Sequence, residues 1–278
     1  MIHVVTDSTS DLTPAQAGGL GVTVVPLIVR FGEDQFRDGV DLDSEAFYRR
    51  LTSSKVHPTT SQPSPEEFSA VYRSLLRGPD DSVVSIHISS HLSGTLQSAH
   101  LAVQELGPAR VHLVDSGSVT AGLQMLVRSA LDDVAEGCDA GEVVERALAR
   151  KERIGIYVLL DTLTYLLRGG RIGRAQAMVG GLLNVKPVLT VRDGEVAPQA
   201  RVRSRRQGFD LIADLIRKRL PLRRLAVFDT GAPELVGEMR GLLEDAAPGV
   251  DILLGQVGPV VGTYAGPGGL GVAYLAAG

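Results

Sequence analysis

The sequence predicts an α/β fold with two domains: an N-terminal domain built on a doubly wound parallel sheet, and a C-terminal α+β domain with a mixed or antiparallel sheet. Three observations support it. The 278 residues suit about two domains. In the first half, fully apolar strands alternate with helices, the pattern of a parallel sheet covered on both faces. In the second half, Asp193-Gly194 between the predicted strands at residues 188–191 and 195–200 predicts a hairpin. We place the domains at residues 1–150 and 151–278.

The first half carries clear signals for each element. Ser64 and Pro65, followed by two glutamates, predict the start of a helix, since they supply a cap, a fixed first turn and charges that favour the helix dipole. The predicted strands are residues 2–6, 22–31, 83–88 and 111–115, and the predicted helices are residues 44–51, 65–76, 95–106 and 119–135.

The second half mixes hairpin and crossover signals. Residues 168–185 are predicted as a glycine-rich loop leading into a helix. The other predicted helices are residues 140–149, 208–219 and 233–245, and the predicted strands are residues 154–160, 188–191, 195–200, 225–229, 252–254, 260–264 and 271–275.

Composition excludes several classes of protein. With 44% hydrophobic and 22% charged residues the chain can build a core, and a net charge of −4 argues against nucleic-acid binding. The single cysteine, Cys138, rules out an internal disulfide. Because Asp7 interrupts the N-terminal apolar run and no stretch of 18 apolar residues occurs, we expect no signal peptide and no membrane insertion. We predict a cytoplasmic protein.

The junction after the strand at residues 83–88 is the first candidate site. Ser89, Ser90, Ser93, Gly94 and Thr95 follow that strand and open a helix, at the sheet edge where doubly wound folds bind ligands. A helix start offers unpaired N–H groups, the hydroxyls add donors, and the glycine admits a ligand close to the backbone, which together suit an anion. The alternative is ordinary N-capping by Ser93.

A second polar loop spans residues 58–64 and contains Thr60 and Ser61. Prolines at both ends of the loop restrict where these hydroxyls point, so little entropy is lost when a ligand binds. The alternative is a turn that only leads into the next helix.

Other motifs carry weaker signals. Asp7 and Asp115 each lie at the end of a predicted strand. Each carboxylate could act as a catalytic base, or it could accept hydrogen bonds from N–H groups in a local turn. The G-x-G-x-x-G match at residues 266–271 is rejected as a dinucleotide motif because only seven residues follow it. The six histidines are not clustered with other ligand types, so we expect no metal, and no cofactor motif occurs.

Residues 201–224 hold nine basic and two acidic residues. A solvated surface is one interpretation, and the other is contact with an acidic partner or a phosphorylated ligand.

Taken together, six segments resemble the DegV family, in the family's order and over nearly the whole chain. These segments are TDSTSDL, TSQPSPEEF, LSGTLQSA, GGRIGRAQAMVGGLLNVKPVL, RVRSRR and GPGGLG. The resemblance implies a bacterial fatty-acid-binding protein that encloses the acyl chain in a tunnel between two α/β domains. Some members are the binding subunit of fatty acid kinase, in which a separate subunit phosphorylates the carboxylate with ATP.

The resemblance also implies roles for particular residues. Thr60, Ser61, Ser93 and Gly94 correspond to the carboxylate site, and Arg171, Arg203 and Arg205 to positions that face phosphate or the kinase. Tyr264 stands where the family often has a histidine before the Gly-Pro-Gly turn. A phenol can donate a hydrogen bond but cannot carry the charge of an imidazolium. The candidate tunnel residues are Met178, Leu182 and Leu183.

Two functions remain. The first is a lipid-binding subunit without catalytic machinery of its own, whose ligand is a long-chain fatty acid. The second is a free-standing hydrolase that acts on a small anionic ester or phosphate with Asp7 or Asp115 as the base.

Overall fold

The computed structural model describes residues 1–106, 110–180 and 185–278, and it confirms the predicted fold class. The helices are α1 (Pro14–Leu20), α2 (Ser44–Ser53), α3 (Pro65–Leu75), α4 (Thr95–Leu106), α5 (Thr120–Ala135), α6 (Ala140–Lys151), α7 (Thr164–Gly169), α8 (Arg205–Arg217), α9 (Val236–Ala246) and α10 (Pro259–Ala265). The strands are β1 (Ile2–Asp7), β2 (Thr23–Val25), β3 (Ile28–Phe31), β4 (Asp34–Arg37), β5 (Thr59–Ser61), β6 (Ser82–His87), β7 (Val111–Asp115), β8 (Ile154–Leu159), β9 (Lys186–Arg192), β10 (Glu195–Val202), β11 (Leu222–Thr230), β12 (Ile252–Gln256) and β13 (Gly269–Ala276).

The first sheet is parallel throughout, in the order β2-β1-β6-β7. Apolar clusters cover both of its faces. Phe68 and Tyr72 of α3 pack on one face with α4, and α1, α5 and α6 pack on the other. Burial on both faces explains why these strands are apolar without alternation.

The second sheet has the order β10-β9-β8-β13-β11-β12 and is antiparallel except for the β11–β12 pair. The predicted hairpin is present, with Asp193 and Gly194 both at positive φ between β9 and β10. Helices α8 and α9 pack on one face of this sheet. A third, small antiparallel sheet has the order β4-β3-β5.

Helix α5 packs against both large sheets. Leu123, Leu126 and Val127 contact the core of the parallel sheet, whereas Ala121 and Met125 pack against Ile156 and Phe228 of the second sheet. Two apolar faces of α5 therefore connect the parallel sheet to the second sheet.

Two local predictions are wrong, and a third is correct only in part. The run at residues 22–31 is two strands in different sheets, because Pro26 has no N–H and interrupts the ladder. Residues 260–264 form part of α10 instead of a strand, with Pro259 in the first helical turn. In the glycine-rich segment a loop does lead into a helix, but this helix is a short 3₁₀ helix at Gly173–Met178, and the first two residues of the segment belong to α7, which ends at Gly169.

Candidate functional site

A cavity of about 370 Å³ lies between the carboxyl edge of the parallel sheet and the second sheet. On one side it is lined by residues that follow β6 and β7, including Ile88, Leu92 and Val119, and on the other side by β8, β9 and β11. This volume falls within the range of small-molecule sites. The location agrees with the rule that ligands bind at the carboxyl ends of parallel strands.

The cavity walls are mainly apolar, since 16 of the 24 lining residues carry hydrocarbon side chains. Ile156, Val158 and Leu160 show how the sequence produces this surface. They are two residues apart on and just after β8, so all three point to the cavity, whereas Tyr157 and Leu159 between them point to the core beneath α8 and α9. One face of the sheet therefore builds the core and the other builds the cavity.

Polar lining residues are linked by contacts at one part of this cavity. The Thr60 and Tyr264 hydroxyls are 2.5 Å apart, and the Arg171 guanidinium lies 5.2 Å from the centroid of the Tyr264 ring. Arg171 Nε donates to the carbonyl oxygen of Leu92, at 3.3 Å, directly before Ser93. The Gln62 amide donates to Ser98 Oγ at 3.1 Å on helix α4. The loop at residues 58–64 and the start of α4 thus meet as one polar group.

The start of α4 presents unpaired donors. Among the described residues, the backbone N–H groups of Gly94, Leu96 and Gln97 donate no hydrogen bond. Ser93 Oγ accepts from the N–H of Thr95 at 3.3 Å and lies 2.8 Å from Thr95 Oγ1, so this side chain satisfies one N–H group at the helix start. The N-cap position itself belongs to Gly94, whose carbonyl oxygen accepts from the N–H of Ser98. The bond from Thr95 to Ser93 is compatible with anion binding, because the other three N–H groups of this helix start donate to no acceptor in the described part of the chain.

Gly94 is closely packed against Gln62. A Cβ atom at residue 94 would lie 2.3 Å from Gln62 Oε1 and 2.7 Å from Nε2. The glycine therefore lets the two loops approach. Gln62 lies in the polar loop at residues 58–64 but is not among the predicted site residues, although its position directly after Ser61 pointed to it.

The predicted site residues are partly brought together. Thr60, Ser61, Ser93, Arg171 and Tyr264 line the cavity, and Gly94 adjoins it.

Arg203 and Arg205 do not line this cavity. Arg203 is exposed, and its backbone N–H donates to Gln207 Oε1. Arg205 donates to the Asp161 carboxylate, at 3.3 Å from Oδ1.

Of the three predicted tunnel residues, the structure describes only Met178. Met178 does not line the cavity itself. It is the last residue of the 3₁₀ helix, lines a separate depression of about 250 Å³ with Asp161 and Val185, and packs against the apolar cluster that contains the cavity residues Leu160 and Leu189. Leu182 and Leu183 lie outside the described residues.

Asp7 and Asp115 are occupied by local hydrogen bonds, and neither lines the cavity. The buried Asp7 carboxylate accepts from the N–H groups of Thr9 and Ile88 and lies 3.0 Å from His87 Nδ1. Asp115 accepts from Ser90 Oγ at 2.6 Å and from the backbone of Gly117. Both therefore show the turn-stabilising contacts that were the alternative to a base.

Several of the basic residues at 201–224 form ion pairs with acidic residues. Arg206 pairs with Asp210 and Glu238, Arg217 pairs with Asp214, and Arg224 pairs with Asp132. Asp210 and Asp214 belong to this segment, so of these acids only Glu238 and Asp132 lower its excess of positive charge, and most of that excess remains.

Asp133, Glu136 and Cys138 are close enough to suggest metal ligands, but Arg146 and Arg150 already donate to their carboxylates. Within the described ranges, no helix has the length and apolar character needed to span a bilayer.

Comparisons with known proteins agree with this geometry. The model of the DegV family, described as "Uncharacterised protein, DegV family", matches residues 1–277. A DegV domain-containing protein of Deinococcus radiodurans is 41% identical over 276 residues, which cover 98% of this chain and 97% of that protein.

Two solved structures are similar over their whole length. A fatty-acid-binding DegV family protein from Thermus thermophilus is 37% identical with a TM-score of 0.91, covering 99% of each chain. DegV of Bacillus subtilis, a fatty acid binding protein, is 30% identical with a TM-score of 0.88, also covering 99% of each chain. The chain therefore belongs to the DegV family.

Proposed function

We propose that this protein binds a long-chain fatty acid, with the acyl chain in the apolar cavity and the carboxylate at its polar part. The single observation that carries the proposal is the joining of an apolar cavity to unpaired N–H groups and hydroxyls at its margin. The fatty-acid-binding proteins of T. thermophilus and B. subtilis, which have the same fold, support it.

The carboxylate would be held by neutral donors. Thr60, Ser61 and Ser93 supply hydroxyls, and Gly94 supplies a backbone N–H at the positive end of the α4 dipole. Arg171 lies at the same margin and adds a positive charge. A carboxylate bound by several hydroxyl and backbone N–H donors, with the exposed Arg171 nearby, needs no buried lysine or arginine beneath it.

The acyl chain would dominate the affinity. Burial gains about 0.8 kcal/mol per CH₂, so a chain of about 16 carbons gains on the order of 10 kcal/mol before ordering costs. One hydrogen bond to a charged group contributes about 1.5–3 kcal/mol. The polar residues therefore determine mainly which end of the ligand faces the margin.

Native mass spectrometry of gently purified protein tests this proposal. We expect an added mass in the fatty-acid range, lost after delipidation and restored by adding palmitate or oleate. The double variant Thr60→Val with Ser93→Ala should bind these acids at least tenfold more weakly, while Ser53→Ala, which removes an exposed hydroxyl on α2, should bind normally. An apo mass that no added fatty acid changes would contradict the proposal.

We further propose that the chain presents the bound carboxylate to a separate ATP-dependent kinase subunit and does not perform the chemistry itself. The position of the carboxylate donors at the cavity margin, with Arg171 beside them, supports it. Loaded protein, ATP and a candidate kinase subunit should together form an acyl phosphate, trapped as a hydroxamate. Formation of acyl phosphate by this chain alone would contradict a binding-subunit role.

A further inference from the structure

One polar residue of the cavity wall, Thr120, has no function in the site described above. Eight polar residues are among those that line the cavity. Six of them lie at the margin, namely Thr60, Ser61, Gln62, Ser93, Arg171 and Tyr264. The seventh is Thr230, whose Oγ1 accepts from the N–H of Gly269 at 2.7 Å. The eighth is Thr120, at the start of α5.

Thr120 carries a buried hydroxyl group without a partner. The residue is 3% exposed and lines the cavity. Its Oγ1 is closed to water and makes no hydrogen bond with any described group. The backbone N–H of Thr120 donates none in the described part of the chain, and Val119 before it gives α5 no side-chain cap. A buried hydroxyl costs free energy unless it is paired, so a partner brought by a ligand would stabilise it.

The backbone at Thr120 indicates that the side chain itself is needed. Its φ is +52°, in the left-handed region that glycine adopts without strain and a β-branched residue does not. Filling the space does not require the hydroxyl, because valine occupies the same volume and leaves no polar atom unpaired. Strain at a cavity wall is typical of a residue that acts on a ligand.

Thr120 lies in the part of the cavity away from the carboxylate site. The residues on either side of it pack with Ile156 of β8, in the apolar cluster between α5 and the second sheet. Tyr264, at the margin, packs in a different cluster, with Leu160. Ile156 and Leu160 are four residues apart, which is about 13 Å at the rise of a strand. An acyl chain that begins at the margin and follows β8 therefore meets Thr120 with its middle or distal carbons.

A neutral oxygen atom on the ligand is the partner that fits this position. A hydroxyl group can donate to an oxygen or accept from a second hydroxyl, and rotation about the Cα–Cβ bond of Thr120 can turn it toward either. The only charged side chain among the described lining residues is Arg171, at the margin. A second carboxylate beside Thr120 would therefore be buried without a counter-charge, whereas a hydroxyl or keto oxygen needs none.

We propose that Thr120 binds an oxygen atom on the hydrocarbon part of the ligand, so that this protein prefers fatty acids with a hydroxyl or keto group in the middle or distal part of the chain. This preference rests on the proposed function, because it requires an acyl chain in the cavity.

Competition binding to the delipidated full chain tests the preference. The probes are stearate and a series of monohydroxystearates, with the hydroxyl at successive carbons from the middle of the chain to its end. We expect at least one of the series to bind at least about fivefold more tightly than stearate, since only an oxygenated ligand pairs the buried hydroxyl of the protein. The carbon that gives the strongest preference locates Thr120 along the acyl chain.

Three variants assign the preference to this hydroxyl. Thr120→Val keeps the branched shape without the oxygen, so it should bind stearate at least as tightly as the unmodified chain and lose the preference. Thr120→Ser keeps the hydroxyl and should keep the preference. Thr52→Val, which removes an exposed hydroxyl on α2 that does not line the cavity, should leave the preference unchanged.

The outcomes separate this inference from the proposed function. Equal binding of stearate and every hydroxystearate by the unmodified chain, or a preference that Thr120→Val retains, would overturn the role of Thr120 and leave fatty-acid binding intact. If neither stearate nor any hydroxystearate binds, the proposed function and the preference fail together.

Discussion

At the scale of the residue, the contact between Gly94 and Gln62 determines how closely the two polar loops approach. Gly94→Ala would place a methyl group 2.3 Å from the Gln62 amide, which must then leave its hydrogen bond to Ser98. Because Gln62 is an exposed, flexible side chain that can turn away, we expect a loss of only about 0.5–1.5 kcal/mol in the free energy of unfolding, from the Gln62–Ser98 hydrogen bond, together with weaker fatty-acid binding. Urea unfolding and palmitate titration measure both effects.

Gly18→Ala is the matched control. No atom lies within 4 Å of a Cβ at this position in α1, so the substitution should stabilise the helix by about 0.5–1 kcal/mol and leave binding unchanged. If both alanine variants behave alike, close packing at Gly94 does not explain its presence.

Much of the candidate site was predictable from single residues. The hydroxyls of Thr60 and Ser93 were identified because local sequence shows a polar loop and a helix start. The contact of Thr60 with Tyr264 was not, since these residues are 204 positions apart and only the tertiary fold brings them together. Gln62 was missed for the same reason, because its partner Ser98 lies on another element.

At the scale of the element, helix α10 shows where local pattern is insufficient. Its sequence PVVGTYA is rich in β-branched residues and was predicted as a strand from residue 260 onward. Packing of Phe47 and Tyr48 against Gly262 selects the helix instead, since a Cβ at Gly262 would lie 2.6 Å from the Phe47 ring. Tertiary contacts override a weak strand preference in so short a segment.

The pairing of α5 with α6 depends on a buried ion pair. Burial alone would raise the pKa of Asp133, but hydrogen bonds from Arg150 and Arg146 outweigh it and hold the pKa below its usual range. Asp133→Asn leaves the buried Arg150 unpaired and should cost about 3–5 kcal/mol in the free energy of unfolding at pH 7.

This cost should depend on pH in a defined direction. An acid whose pKa is lowered by folding contributes stability above its unfolded pKa of about 4 and loses that contribution as pH falls below it. Urea unfolding should therefore show a smaller effect of Asp133→Asn near pH 3 than at pH 7. Glu136→Gln, which neutralises the exposed partner of Arg146, should cost less than about 1 kcal/mol at either pH.

At the scale of the whole molecule, the alternation of side chains along each strand gives the two faces of the second sheet different roles. Side chains on one face form the core with α8 and α9, and side chains on the other face line the cavity. Hairpin and strand signals predicted this sheet, but its pairing order and the distance to the parallel sheet arise from contacts among distant segments. The existence of the cavity was therefore implied by the family resemblance. Of the wall residues predicted in the glycine-rich segment, Met178 packs behind the cavity lining, and Leu182 and Leu183 lie outside the described residues.

Filling the cavity tests whether this division holds. Val158→Phe places a larger apolar ring in the cavity, away from the core beneath α8. It should therefore weaken palmitate binding at least tenfold. The lipid-free protein should lose less than about 1 kcal/mol in its free energy of unfolding. Saturating lipid stabilises a protein by RT ln(1 + [L]/Kd), about 2.7 kcal/mol at a hundredfold excess over Kd. The variant should therefore lose most of its lipid-induced rise in melting temperature. The control is Leu254→Phe, a change at an exposed position on the edge strand β12, which should keep that rise in melting temperature. A full lipid-induced rise in Val158→Phe would show that the acyl chain lies elsewhere.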